Sequence, residues 1–332
     1  MLKPLIKSLA QYAASVAGPQ RWHSGAPQLW VLMYHRILPA EDPRTSAEEP
    51  GMCVTPEVFA MHLAQLRRYF TPMRLADWVA KQRAGEPLPA RACAVTFDDG
   101  WRDNIEYALP LLEQAQVPAT LFAVAEKIGT DFQFWPNLVA NLLLHGTLPQ
   151  LREHPIFHAL EQAVPSLARC VNRESLAQAI GFLKRYSDQE LFAALEQLAW
   201  RTLAAPMPQA LMSWAELKQM QDSGWVDIGS HTCTHRRLTH GLDETQLRYE
   251  IQHSQRLLQE RLERSVNLFC FPNGDYSAAA LQLVEETYHA AVTTQRGIVH
   301  LGQKLHELTR IGLHNDVSAT PVAFGARLSA WI

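Results

Sequence analysis

The chain has 332 residues, 47% hydrophobic and 19% charged, with a formal net charge of −3. That is apolar material for one large α/β domain or two of ordinary size, and it excludes a disordered chain. With mixed signs and no Lys/Arg block, the composition excludes nucleic acid as a partner, because phosphate binding needs a basic footprint.

In residues 1–18 the positions Leu2, Leu5, Ile6, Leu9, Ala13, Val16 and Ala17 recur at helical spacing, with Lys3, Lys7 and Gln11 between them. One apolar face with a cationic edge suits either a membrane surface or a groove of the parent domain. Ser8, Gln11 and Tyr12 interrupt the continuous apolar run of a secretory signal. The expected location is cytoplasmic, peripheral to the membrane through residues 1–18, and residues 1–28 read as this helix and a linker.

Residues 29–33 are a short apolar run, a buried strand that ends in Tyr34-His35-Arg36. A polar loop follows over 39–51. Thr55-Pro56 supplies an N-cap and a first helical residue, and a second helix runs through 75–82. Residues 92–97 form a strand that stops at Asp98-Asp99-Gly100, with Asp103 and Asn104 placed to cap the next helix. Residues 119–125 are the next strand. Strand, acid-bearing loop, helix, strand is a βα repeat, which implies a parallel sheet or barrel.

Residues 131–210 break this rhythm. They carry helical patterns rich in Leu, Ala, Gln and Glu and read as a helical insertion, a lid over the site. A helix over 214–223 and a strand over 226–229 restore the repeat, ending at Ser230-His231. A long helix across 244–263 precedes strands at 266–271, 290–293 and 310–313. Thr320-Pro321 starts a last helix with Phe324, Leu328 and Trp331 on its apolar side.

Functional residues of such barrels sit where strands end. Here the strand ends read Tyr34-His35, Asp98-Asp99, His231, Pro272-Asn273-Gly274 and His314. His231 and His235 are four residues apart, so a helical turn would aim both rings at one metal. One adjacent acid can complete a two-His, one-carboxylate site, and the other can take a proton from water. The five cysteines are far apart and form no C-x-x-C pair, so neither a disulfide framework nor a zinc knuckle is expected.

Thr96-Phe97-Asp98-Asp99-Gly100, His231-Thr232-x-x-His235 and Phe271-Pro272-Asn273-Gly274 occur in the order and context of the polysaccharide deacetylase family, also called the NodB-homology group or carbohydrate esterase family 4. The chain resembles this family over roughly 29–130 and 211–332, leaving the N-terminal helix and the insertion outside. Tyr34-His35-Arg36 is similar to its larger bacterial members. The resemblance implies an α/β fold, a distorted (β/α) barrel, and one divalent metal ion, commonly zinc. It gives Asp98 as general base, Asp99, His231 and His235 as metal ligands, the Asn273 N–H as oxyanion donor and His314 as general acid.

Two departures from the family pattern stand out. Cys270 occupies the position where many members carry an arginine that orients the base, leaving His35, Arg36 or Arg310 to do so. The family's Asp-and-Trp motif has no counterpart between 290 and 308. Trp101 and Pro272 are further candidates for contact with substrate. The implied function is hydrolytic removal of an acetyl group, from the nitrogen of a hexosamine in a surface polysaccharide, lipopolysaccharide or lipid-linked glycan. The alternatives are an amidohydrolase of small amides and a degenerate domain that binds glycan without cleaving it.

Overall fold

Seven apolar runs become seven parallel strands: β1 (Gln28–Tyr34), β2 (Arg91–Phe97), β3 (Ala119–Ala123), β4 (Val226–Ser230), β5 (Leu268–Cys270), β6 (Ala290–Arg296) and β7 (Leu308–Gly312). The computed structural model describes residues 2–22, 25–239 and 241–331, with side chains from residue 8 onward. The strands pair in the order β1–β7–β6–β5–β4–β3–β2, and β2 pairs back onto β1 through seven residues from Gln28↔Arg91 to Tyr34↔Phe97. This closes a (β/α) barrel. Every residue of β3 and all but one each of β1 and β2 are buried, which is why these strands read as continuous apolar runs rather than alternating ones.

Register carries function. Tyr34 lies level with Phe97, so His35 and Asp98 leave the barrel side by side. Ser230 lies level with Ala123, and the His231 N–H donates to the Ala123 carbonyl at 2.9 Å. The turn after β5 depends on Gly274 at φ +75°, where a Cβ would stand 2.1 Å from Thr294 Oγ1.

Helices pack outside. Thr55 Oγ1 accepts from the Val58 N–H to start Pro56–Tyr69, as its sequence predicts. Asp103, in contrast, makes no capping bond; the chain enters a π turn over Asn104–Ala108 before regular helix at Leu109–Ala115. The helix expected across 244–263 contains a π segment, Tyr249–His253, between Glu244–Arg248 and Ser254–Leu262. The first helix, α1 (Leu2–Ala17), packs on the last, α2 (Pro321–Leu328). Trp331 falls beyond α2 and is 59% exposed, so it does not extend that helix's buried side.

The chain forms two compact units, one of Met1–Ile37, Val54–Thr130 and Leu211–Ile332, the other of Leu38–Cys53 and Asp131–Ala210. The second is helical around its own core, which includes Trp135, Leu138, Leu142, Phe157, Leu160, Leu183 and Leu191. Its helices start on capping boxes at Asn172/Ser175 and Ser187/Glu190. The polar loop over 39–51 belongs to this unit, and Asn137 Nδ2 donates to Glu48 Oε2 at 3.1 Å.

Candidate active site

The two acids that end β2 have separate partners. Asp98 is 2% exposed and receives Arg310 of β7 bidentately, Nη1 to Oδ1 and Nη2 to Oδ2, both at 2.7 Å. Arg310, itself 1% exposed, is fixed by donating Nε to the Thr293 carbonyl (2.8 Å), Nη1 to Thr96 Oγ1 (3.2 Å) and Nη2 to Cys270 Sγ (3.2 Å). Burial pushes the Asp98 pKa up, and the charge and hydrogen bonds of Arg310 outweigh it, holding the carboxyl below its ordinary value.

Asp99 turns the other way because its backbone is left-handed, φ 76°. Its Oδ2 accepts from Trp101 Nε1 at 2.8 Å, while Oδ1 lies 3.4 Å from both His231 Nε2 and His235 Nε2. Burial opposes its ionisation, but the His231 hydrogen bond and nearby imidazole charges hold its pKa far below the ordinary value. His231 Nδ1 donates to the Cys270 carbonyl at 2.8 Å, which orients the ring and turns Nε2 towards Asp99; Nε2 would become a lone-pair donor where a cation replaced its proton. Bonds of about 2.0–2.1 Å in a tetrahedron separate ligand atoms by about 3.3–3.4 Å. The Asp99–His distances meet that spacing, and the chemistry of the donors fits a divalent cation.

His231 and His235 converge without a helix. Thr232 (φ 68°) and His235 (φ 66°) are left-handed, and the His235 N–H donates to Thr232 Oγ1 at 2.9 Å. With Asp99 and Asn273 (φ 56°), they are four of the eight non-glycine residues of positive φ among the described residues. Strain therefore concentrates at this rim, as it does where surroundings over-determine a functional geometry. Glu250, 4% exposed, accepts the Cys233 and Thr234 N–H groups at 3.0 Å each and the Thr234 hydroxyl at 2.6 Å. It ties down the loop between the two histidines.

Residues 85–292 match the family described as polysaccharide deacetylase. The chain belongs to the polysaccharide deacetylase family. It is 22% identical over 309 residues, 91% of this chain and 77% of the other, to YxkH of Bacillus subtilis (strain 168), described as a polysaccharide deacetylase. Over 118 residues, 35% of this chain and 16% of the other, it is 29% identical to a poly-beta-1,6-N-acetyl-D-glucosamine N-deacetylase of Escherichia coli (strain K12). Among solved structures, IcaB from Ammonifex degensii superposes with TM-score 0.59 at 18% identity, covering 91% of this chain and 97% of that one. The deacetylase PplD of Streptococcus pyogenes, solved with acetate, superposes with TM-score 0.58 at 17% identity, covering 89% and 96%. These likenesses establish the barrel as that of this deacetylase family.

Within this deacetylase frame the structure sorts the remaining candidates. Of His35, Arg36 and Arg310, Arg310 carries the paired contact to Asp98. Arg36 donates Nε and places Nη2 on Asp103 Oδ2, both at 2.9 Å, and its guanidinium lies 4.1 Å from the Trp101 ring centroid. Asp103 serves that pair and the Ile37 N–H (2.7 Å) instead of capping a helix. Trp101 is 1% exposed, so it holds Asp99 rather than stacking on a sugar.

His35 Nε2 stands 3.9 Å from Asp98 Oδ2 with the side chain 22% exposed. His314 begins the next turn, where its carbonyl accepts from the Ser318 N–H and its Nδ1 lies 3.3 Å from Asp316 Oδ2. Pro272 is buried and opens the one-turn helix Pro272–Gly274; the exposed Asn273 follows, with an N–H of the kind such a turn leaves without an intrahelical partner. Sequence reasoning missed Glu250. Its signal was an acid on the buried stripe of Leu247 and Ile251, at spacings of three and one.

Proposed function

We propose that this deacetylase is metal-dependent and removes the N-acetyl group of a hexosamine in a cell-surface polysaccharide, lipopolysaccharide or lipid-linked glycan. The observation that carries the reading is the convergence of Asp99 Oδ1, His231 Nε2 and His235 Nε2 beside an ionised, arginine-clamped Asp98. The E. coli relative's N-deacetylase description supports the substrate class. Asp99, His231 and His235 would hold one divalent cation, zinc by donor type, which when bound supplies Lewis acidity towards the acetyl carbonyl.

The chain's own residues account for the protons. Asp98 accepts a proton from the attacking water as its oxygen bonds to the acetyl carbon. The Asn273 N–H donates to the oxyanion that forms. The C–N bond then breaks, acetate leaves, and the amine takes a proton. We assign that donation to His35, because it faces Asp98, ahead of His314, to which the family resemblance gave it. We further propose that residues 131–210 serve as a lid that selects the substrate. Deleting 131–210 is expected to change which acetylated glycan is cleaved while metal content holds; a folded deletion variant without metal would reject it.

The test is metal content and acetate release on N-acetylated oligosaccharides for wild type, Asp98→Asn and His231→Ala. Wild type is expected to hold about one metal per chain. Asp98→Asn should keep it and lose about 10²–10⁴-fold in turnover, and His231→Ala should lose both. A folded protein that takes no zinc would sink the proposal. His35→Ala and His314→Ala in parallel assign the acid: the larger loss of kcat identifies it.

A further inference from the structure

The face that α1 turns towards its own barrel is small and polar, and the face it turns outward is apolar. Ala14 and Ser15 are buried, and Gln20 just beyond the helix donates Nε2 to the carbonyls of Ala14, Ser15 and Gly325 at 2.8, 3.2 and 2.9 Å. A Cβ on Gly325 would stand 2.5 Å from Ser15 Oγ, so the two helices touch without room for a larger residue. Arg21 Nε bonds the Ser15 carbonyl at 2.9 Å. These contacts fix the rotation of α1.

That rotation leaves Leu9 61%, Tyr12 59% and Val16 51% exposed. The spacing 9, 12, 16 is one helical stripe, and in the sequence Leu2 and Leu5 continue it; their side chains lie outside the described residues. Trp22 is 63% exposed just past α1, and Trp331 lies two residues past Ser329, whose side chain faces Gly18. Among the described residues nine large hydrophobics are exposed, and six of them (these five and Val322) lie on α1, on α2 or just beyond their ends. Single exposed apolar residues need no explanation, but a concentration of this kind does.

The charge around this face has one sign. Residues 1–35 contain Lys3, Lys7 and Arg21 and no acid, and residues 317–332 contain Arg327 and no acid. Two more arginines are anchored at the same place, Arg91 through Nη1 to the Gln20 carbonyl and Arg296 through Nη2 to the Arg327 carbonyl, both at 3.3 Å. An apolar stripe flanked by aromatics and bordered by cations is the composition of a helix lying in a bilayer interface. Among the described residues no helix is long and apolar enough to cross a membrane.

We propose that α1 docks this protein on the surface of a bilayer containing anionic phospholipid, with Leu9, Tyr12 and Val16 in the interface and Trp22 and Trp331 at headgroup level. Docking does not depend on the substrate or the metal, so its failure and that of the proposed chemistry are separable.

The experiment is co-sedimentation of the full chain with vesicles of phosphatidylethanolamine and phosphatidylglycerol, against vesicles of phosphatidylcholine alone. Wild type should sediment with the anionic vesicles and be released as salt rises. The double variant Leu9→Glu, Val16→Glu should bind them at least about tenfold more weakly, with unchanged circular dichroism and acetate release from a soluble substrate. Equal sedimentation of variant and wild type, or wild type left in the supernatant with both vesicles, overturns the proposal. A wild-type dimer that the variant breaks, without vesicle binding, would assign the face to a second copy and also overturn it.

Discussion

Asp98 and Asp99 are adjacent in the chain, and the two sides of the rim treat them differently. Asp98 meets a full guanidinium charge, and both Nη groups of Arg310 donate to it. Asp99 meets a neutral indole on one oxygen and imidazole nitrogens on the other, one of those rings held by a neutral carbonyl. A base must stay ionised in a dry place, which needs a permanent counter-charge. A ligand must keep its negative charge available for a cation, so it is held by hydrogen bonds that do not cancel it. On the proposed mechanism, the same residue type would thus serve two chemistries through what lies behind it.

The contrast breaks most severely at Arg310. Arg310→Met leaves a buried carboxylate unpaired and should cost about 3–5 kcal/mol in chemical denaturation. A depressed carboxyl pKa stabilises the fold above the unfolded value, and that contribution disappears as pH falls through the folded one. Without Arg310, burial is opposed only by the weaker charges of His231 and His35, and the Asp98 pKa rises. The acid limb of the kcat/KM profile should therefore move to higher pH. Adding Asp98→Asn should return most of the lost stability; if it returns none, Arg310 matters to the barrel rather than to the acid.

A smaller effect is expected on the ligand side. Glu250→Ala frees the Cys233 and Thr234 N–H groups and should weaken metal affinity about 10–100-fold, with kcat near normal once metal is saturating. An equal loss of kcat at saturating metal would mean that Glu250 acts on the chemistry and not on the loop. Trp101→Phe should be milder, about tenfold in metal affinity, the low end for losing a hydrogen bond to a charged group. Titration with zinc by calorimetry measures both, and a larger effect from Trp101→Phe than from Glu250→Ala would reverse the ranking.

The barrel was legible because each strand is an uninterrupted apolar run that stops at a polar residue, as at Phe97-Asp98 and Ser230-His231. The acids and histidines were legible for the same reason, since strand ends are where a barrel exposes chemistry. What was not legible depended on register and on backbone hand. That Arg310 rather than Arg36 would reach Asp98 follows from where β1, β2 and β7 meet, a relation between residues more than 200 positions apart. The helical turn expected of His231–His235 is instead a strained loop, because left-handed Thr232 leaves no trace in its residue type. The polar stretch at 39–51 read as a loop of the barrel because nothing local ties Glu48 to Asn137.

The clamp on Asp98 also sets an order of assembly. Asp98 directly follows the second barrel strand to leave the ribosome, and its counter-charge is on the seventh, 212 residues later. Until β7 arrives, β1 has a neighbour on one side only among the barrel strands and Asp98 has no arginine. On the proposed mechanism, a nascent chain would therefore carry Asp99, His231 and His235 well before it carried a poised base, and hydrolytic competence would be withheld until the last strand closes the ring.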